Sequence, residues 1–293
     1  MRYAVRHVTR FVYEYPVRFA RCNLRLRPVE WDGQEIDQAI IRITPDADLL
    51  PARGNGYRAH IDRLVLEQEA TELMIESRSL VRVVRPAPVA EANDLTVVEA
   101  GAAAREIREL GAMAPANYLF PSPLIAAFPE IAAYCAVDLV PERGVVEAGL
   151  ALARRIQADF TYDGSATELD TSPAEAFAAR HGVCQDFAQI MISGARSAGI
   201  AAAYVSGYLR TIPPAGEERL VGADATHAWV MLWCGPERGW LGFDPTNGCT
   251  VGSDHILCAI GRDYADVAPI DGIFLGQDGQ KIDVSVDVEP LGD

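Results

Sequence analysis

Three short stretches carry residues able to do chemistry together. "GVCQDFA" places Cys184 directly after a glycine turn, at the expected first turn of a helix. "THAWV" places His227 at the start of an expected strand, and "GWLGFDPT" places Asp244 at the end of the next. A buried structural cysteine gains nothing from a helix start. A nucleophilic one does, because its thiolate faces the positive end of the helix dipole, worth about 0.3–1 kcal/mol and up to about 2 kcal/mol when partly buried. A histidine within hydrogen-bond reach takes the thiol proton and pairs with the thiolate. A carboxylate on the far side of the ring fixes its tautomer and orientation. The backbone N–H of a residue at a helix start is free to donate to the oxyanion of an acyl intermediate.

For the three side chains to meet, the strands carrying His227 and Asp244 must be antiparallel neighbours, since the start of one then lies beside the end of the other. The Cys184 helix must pack across that sheet. In "TSPAEAFAARHG", Ser172 is the expected N-cap, Pro173 takes the first helical position and Glu175 completes a capping box. That helix is expected to stop near Gly182. A second helix should run from Cys184 to Ala198, stopped by Gly199. "AAAYVSGYLR", "THAWVMLW" and "GWLGFDP" read as the strands that follow.

The rest of the chain divides by pattern. Residues 1–88 read as an N-terminal β domain. In "YAVRHVTRFVYEY" Tyr3, Val5, Phe11, Tyr13 and Tyr15 face one way and Arg2, Arg6, Arg10 and Glu14 the other. "NLRLR", "QAIIRI", "HIDRLVLEQ" and "ELMIESRSLVRVV" are further strands, closed by the linker "RPAPVAEAND". Residues 89–145 read as a helical connector, and 146–293 as a core opened by the helix of Val146, Leu150, Ala153 and Ile156. The tail "KIDVSVDVE" alternates Ile282, Val284, Val286 and Val288 with polar residues and should be a half-exposed strand. The fold class is therefore α+β.

Composition narrows the partners. A net charge of −15 over 293 residues argues against nucleic acid, which needs a basic surface. No run of about 18 apolar residues suggests a membrane helix. The opening "MRYAVRHVTRFVYEY" has no apolar signal-peptide region, so a cytoplasmic location is expected. The six cysteines include no CxxC pair, which speaks against a disulfide framework and a thiolate zinc site. The remaining histidines, His7, His60, His181 and His255, fit no zinc spacing, so no metal or other cofactor is assigned. Asp263, Asp266 and Asp271 lack the spacing of a calcium loop. Lys281 is the one lysine, so an enzyme acylating lysine amines would hardly cross-link itself.

The motifs resemble those of the transglutaminase-like superfamily, a branch of the papain-like cysteine enzymes. "GVCQDFA", "THAWV" and "GWLGFDPTNG" look like its three core motifs, and "FTYDGSATELDTSPAEAF" like its lead-in. "RYAVRHVTRFVYEYPVRFARCNLRLRP" and "HILCAIGRDYADVAPIDGIFLG" are similar to the N-terminal β region and C-terminal segment of its bacterial branch. Two departures stand out: Thr226 precedes the histidine where serine is common, and "PARGNGYRAHIDRL" lacks an acidic residue before its "GN".

The resemblance implies a papain-like core, a Cys184–His227–Asp244 triad and a thioester intermediate formed on a protein or peptide amide. Gln185 and Asp186, one turn into the helix, and Trp229, on the same strand face as His227, are the expected pocket and support residues. Tyr208 and Tyr162 are weaker candidates for the cleft. The loop at 211–225 reads as a lid or a plain strand connection. The rival readings are a non-catalytic peptide-binding module whose N-terminal sheet adds a strand, and an arylamine acyltransferase. The latter is disfavoured by the acidic charge and by the lack of any feature suited to a coenzyme A-like ligand.

Overall fold

The computed structural model describes residues 1–52, 56–109, 111–163, 171–211, 225–276 and 279–292. The chain opens with β1 (Arg2–Val17), β2 (Phe19–Leu24), β3 (Gln34–Thr44), β4 (Asp48–Ala52), β5 (Arg58–Ala59), β6 (Ile61–Leu66) and β7 (Ala70–Val83). The period-two pattern of β1 holds: Tyr3, Val5, Phe11 and Tyr13 are buried, while Arg2, Arg6 and Arg10 are exposed. Arg6 and Arg10 pair with Glu76 and Glu72 of β7, each at 2.7 Å. Tyr15, expected on the buried face, is exposed, because the β1–β7 register breaks between Val12 and Val17.

Helices follow: α1 (Val97–Glu106), α2 (Pro129–Cys135) and α3 (Val145–Asp159). A short parallel pair, β8 (Thr161–Tyr162) with β9 (His181–Gly182), brackets α4 (Pro173–Ala179). Then come α5 (Cys184–Ser197), β10 (Ala202–Leu209), β11 (Ala225–Trp233), β12 (Trp240–Asp244), β13 (Cys249–Thr250), β14 (His255–Gly261), α6 (Tyr264–Val267), β15 (Ile270–Leu275) and β16 (Gln280–Leu291).

Among the described residues a six-stranded sheet, in the order β13-β12-β11-β10-β14-β5, holds the centre. One face, with Ala202, Tyr204, Ala228, Val230 and Leu232, packs on α3 and α5. The other, with Trp229, Met231 and Trp233, packs with Ala104 of α1 and with Tyr118. The N-terminal strands form two four-stranded antiparallel sheets, β16-β1-β7-β3 and β15-β2-β6-β4, closed over Phe11, Leu24, Leu64, Leu66, Leu73 and Ile75. The last two strands thus pair with the first two: β16 runs along β1 from Leu291 opposite Arg2 to Gln280 opposite Tyr13. A further apolar cluster, with Tyr3, Val5, Val81, Tyr208, Ile256 and Val288, joins this sandwich to the central sheet. No helix among the described residues is long and apolar enough to cross a membrane.

Candidate active site

The helix that presents Cys184 is built by local chemistry. Ser172 caps α4, accepting from the Glu175 N–H, and the Glu175 carboxylate accepts from the Ser172 N–H at 2.8 Å. The helix ends before the expected Gly182. Arg180 takes the left-handed conformation at φ 58° and lays its guanidinium 4.1 Å from the Phe177 ring centre and 4.7 Å from that of Phe160. The chain then turns into α5, whose first residue is Cys184.

Asp186 closes that turn: its carboxylate accepts the Val183 N–H at 2.8 Å. Gly182 is needed for this, since a Cβ there would stand 2.6 Å from an Asp186 carboxylate oxygen and 3.0 Å from its Cβ. Gly199, at φ +81°, follows the far end of α5.

β11 and β12 are antiparallel neighbours, paired from Val230–Phe243 to Trp233–Trp240. His227 and Asp244 lie just beyond the paired stretch, and the His227 Nε2 donates to Asp244 Oδ2 at 2.8 Å. The second ring nitrogen, Nδ1, is left for the thiol, and Cys184 stands within hydrogen-bonding reach of the ring. Burial alone would push His227 down, but the hydrogen bonds to Asp244 and Cys184 and the charges of both raise it to about 10.

Asp244 is fully buried, and every contact it makes is a donor. Oδ1 accepts the N–H groups of Thr246 (2.9 Å) and Asn247 (3.1 Å), and Oδ2 accepts Asn247 Nδ2 at 2.7 Å beside His227. Burial would raise its carboxyl, but the hydrogen bonds and charges of His227 and His255 hold it well below the usual carboxylate range.

His255 is the partner that sequence spacing did not single out. It opens β14, and its Nε2 donates to the same Oδ2 at 3.1 Å. Its buried Nδ1 has no partner among the described residues. A signal was available: "HILCAIG" opens a buried strand on a histidine, as "HAWVML" does. His227, Asp244 and His255 place three donor atoms within 4.8 Å of one another. The Nε2–Oδ2 separations of 2.8 and 3.1 Å are hydrogen-bond distances.

Trp229, fully buried, packs against both histidines, with ring centres 6.2 Å from His227 and 5.2 Å from His255. Gly207 makes room for it, since a Cβ there would meet the indole at 2.6 Å and the Ile256 carbonyl at 2.1 Å. Gln185 is buried on α5. Tyr162 is exposed, edge-on to Phe187, and its hydroxyl is raised by burial and by the charge of nearby Cys184. Tyr208 does not reach the cleft: its hydroxyl donates to the Leu26 carbonyl and receives from His7, each at 3.1 Å. Asp263 caps α6 and accepts the Leu124 N–H, Asp266 holds Arg262, and Asp271 pairs with Arg25.

Burial pushes Cys22 and Cys249 up to about 11 and Cys135 to about 12, and raises Cys234 and Cys258 further. All six cysteines are free. The proposed lid at 212–224, the lead-in at 164–170 and the "RGN" loop at 53–55 lie outside the described residues.

Residues 136–245 match the transglutaminase-like superfamily, and residues 3–82 match the bacterial transglutaminase-like N-terminal region. An uncharacterized protein of Mycobacterium tuberculosis is 48% identical over 162 residues, 54% of this chain and 52% of that protein, so the match spans about half the length of either. One of Mycobacterium leprae is 30% identical over 295 residues, 99% of both chains. A crystal structure from Cytophaga hutchinsonii, of a candidate cysteine protease, superposes over 100% of this chain and 92% of its own with a TM-score of 0.76 at 19% identity, which shows the shared fold. With its α+β architecture and papain-like core, the chain belongs to the transglutaminase-like superfamily, in the branch that carries the bacterial N-terminal region.

Proposed function

We propose that the protein is a thiol-dependent enzyme acting on a protein or peptide amide, with Cys184 as nucleophile, His227 as base and acid, and Asp244 as the group that orients His227. The observation that supports this most directly is the 2.8 Å bond from His227 Nε2 to a fully buried Asp244, which leaves Nδ1 for a thiol at a helix start. His227 takes the Cys184 proton and the thiolate attacks the amide carbonyl. The imidazolium then gives its proton to the leaving nitrogen as the C–N bond breaks, and a thioester remains. The N–H of Cys184, at the first position of α5, is placed to donate to the oxyanion.

Water then adds to the thioester, His227 accepts its proton, and the acid product and free Cys184 are released. An amine in place of water gives transamidation. Hydrolysis is the reading we favour, because transamidation demands that water be kept out. Six free thiols suit a reducing compartment, in keeping with action in the cytoplasm.

The test is alkylation of each cysteine by iodoacetamide from about pH 4 to 10, read by peptide mapping in the native protein and in His227→Ala. Reaction of Cys184 well below the ordinary thiol pKa of about 8.5, lost in the variant, is the expected result. Ordinary titration of Cys184 in both proteins overturns the catalytic reading and favours a non-catalytic peptide-binding module.

A further inference from the structure

The tail strand does not bury the face its sequence marks as apolar. Val286 and Val288 are 1% and 0% exposed, but Ile282 and Val284, on the same face, are 49% and 55% exposed. The reason is the shape of the N-terminal sandwich. β16 ends one sheet and β15 ends the other, so among the described residues no further strand lies along the outer edge of β15 or of residues 280–285. Between them the two sheets gape. The wedge has a volume of about 360 Å³ and is lined by Phe11, Ile282 and Val284 from one sheet and by Ile270, Gly272 and Phe274 from the other. On the outer side of β15, Ile273 and Leu275 are also exposed, at 59% and 61%. Natural proteins blunt such edges, because an open edge with apolar side chains templates another strand.

The wedge borders the candidate active site. Its wall includes Thr226, the residue before His227, and Tyr264, whose hydroxyl is raised by burial, by Asp271 on the wedge and by the charge of Cys184. β16 itself runs against β11, the strand that carries His227. The lining offers no unpaired charge: Asp271 is held by Arg25 and Asn23, and His7 is kept neutral by burial.

From this geometry we propose that the wedge is the docking groove for the substrate polypeptide, an extended, uncharged segment that pairs with the edge of β16 at residues 280–285 and seats alternate apolar side chains between the sheets. The proposal rests on the catalytic reading of Cys184 and adds the class of substrate. It also gives the N-terminal sandwich a part in the reaction, since an amide in an extended, exposed segment reaches Cys184 and one inside a folded domain does not. Backbone pairing supplies affinity without regard to sequence, and the apolar wedge selects the side chains at alternate positions.

The experiment compares alkylating agents on Cys184. One is iodoacetamide. The other two carry a hexapeptide of alternating valine and serine, with a chloromethyl ketone at the C-terminus or a chloroacetyl group at the N-terminus, so the peptide extends to either side of the sulfur. The variant is Ile282→Lys combined with Val284→Lys, both at exposed positions, with thermal unfolding to check the fold.

Each peptide reagent is scored against the same warhead without the peptide, chloroacetone or chloroacetamide, and one of the two is expected to label Cys184 at least about tenfold faster than its own control at equal concentration, roughly the worth of burying one apolar side chain. The double variant should lose that advantage while its iodoacetamide rate stays unchanged. If neither peptide reagent gains, or the gain survives in the variant, the groove is overturned. Failure of the catalytic reading looks different: iodoacetamide itself then labels Cys184 only as an ordinary thiol.

Discussion

Two histidines in this molecule are buried almost equally, His7 at 2% exposure and His227 at 8%, and they end in opposite states. His7 lies in the N-terminal sandwich between two hydroxyls, Thr9 Oγ1 at 2.8 Å and Tyr208 Oη at 3.1 Å. Burial with no opposite charge pushes its pKa down to about 4, and the ring stays neutral. His227 meets the same burial, but a carboxylate and a thiol face its two nitrogens and raise it to about 10. The difference between a neutral buried histidine and one whose pKa is raised is therefore not depth but the presence of an acid that is itself buried and held by other donors.

Removing that acid is the severest test. Asp244→Asn keeps the shape and removes the charge. Cys184 alkylation should then return to the ordinary thiol range near about 8.5, and turnover of any amide substrate should fall by roughly 10³–10⁴-fold. The same variant should flatten the alkaline limb of stability. The folded pKa of His227, about 10, stands above its ordinary 6.5. Its contribution is therefore complete below about pH 6.5 and lost as pH rises through about 10. Urea unfolding at a series of pH values reads this directly.

The mirror experiment is His7→Gln. The folded pKa of His7, about 4, lies below its ordinary 6.5. Between those values the unfolded chain binds more protons, so stability falls as the solution is acidified from about pH 6.5 to 4. The loss is on the order of 3 kcal/mol, and His7→Gln should remove it without touching Cys184 alkylation. A variant that kept the acid limb would place its origin elsewhere.

A smaller effect is expected at His255. His255→Leu takes one of five donors from a fully buried carboxylate, and a drop in unfolding free energy of about 1–3 kcal/mol should follow. His255→Gln, which retains an N–H donor, should recover part of it. Equal stability of both variants and the parent would show that Asn247, Thr246 and His227 hold Asp244 unaided.

Much of this candidate site is legible in the sequence because Cys184, His227 and Asp244 each lie at or near the end of an element. A cysteine after glycine, a histidine opening a strand and an aspartate before proline are all local signals, as is the Ser172–Glu175 capping box. His255 also opens a strand, but no local signal ties it to Asp244. It reaches Asp244 because β14 lies beside β10, with His255 opposite Leu209, and β10 lies beside β11. No spacing rule encodes a register set across the four strands from β14 to β12. The tail shows the same limit. Its alternation identifies a strand, but its partner is β1, at the other end of the chain, and the missing wall over Ile282 and Val284 depends on where β15 runs. The left-handed stop at Arg180 was hidden for another reason: the rings of Tyr134 on α2, Phe160 just after α3 and Phe177 on α4 stabilise it through its side chain.

Thr9→Val should have the least effect, and it asks whether burial or hydrogen bonding keeps His7 neutral. Tyr208 donates to the Leu26 carbonyl, so His7 Nδ1 carries a proton and donates to Tyr208. The Thr9 hydroxyl must then donate to Nε2. Valine removes that donor at nearly constant volume and leaves one acceptor of a neutral ring unpaired, which costs about 1 kcal/mol. The cost should be nearly the same from pH 4 to 7, because burial sets the state of His7 and burial is unchanged. Parallel stability curves for parent and variant across that range support this account. A curve whose acid limb flattens would mean that the threonine hydroxyl sets the state of His7, and the contrast with His227 would then be one of hydrogen-bond partners at both sites.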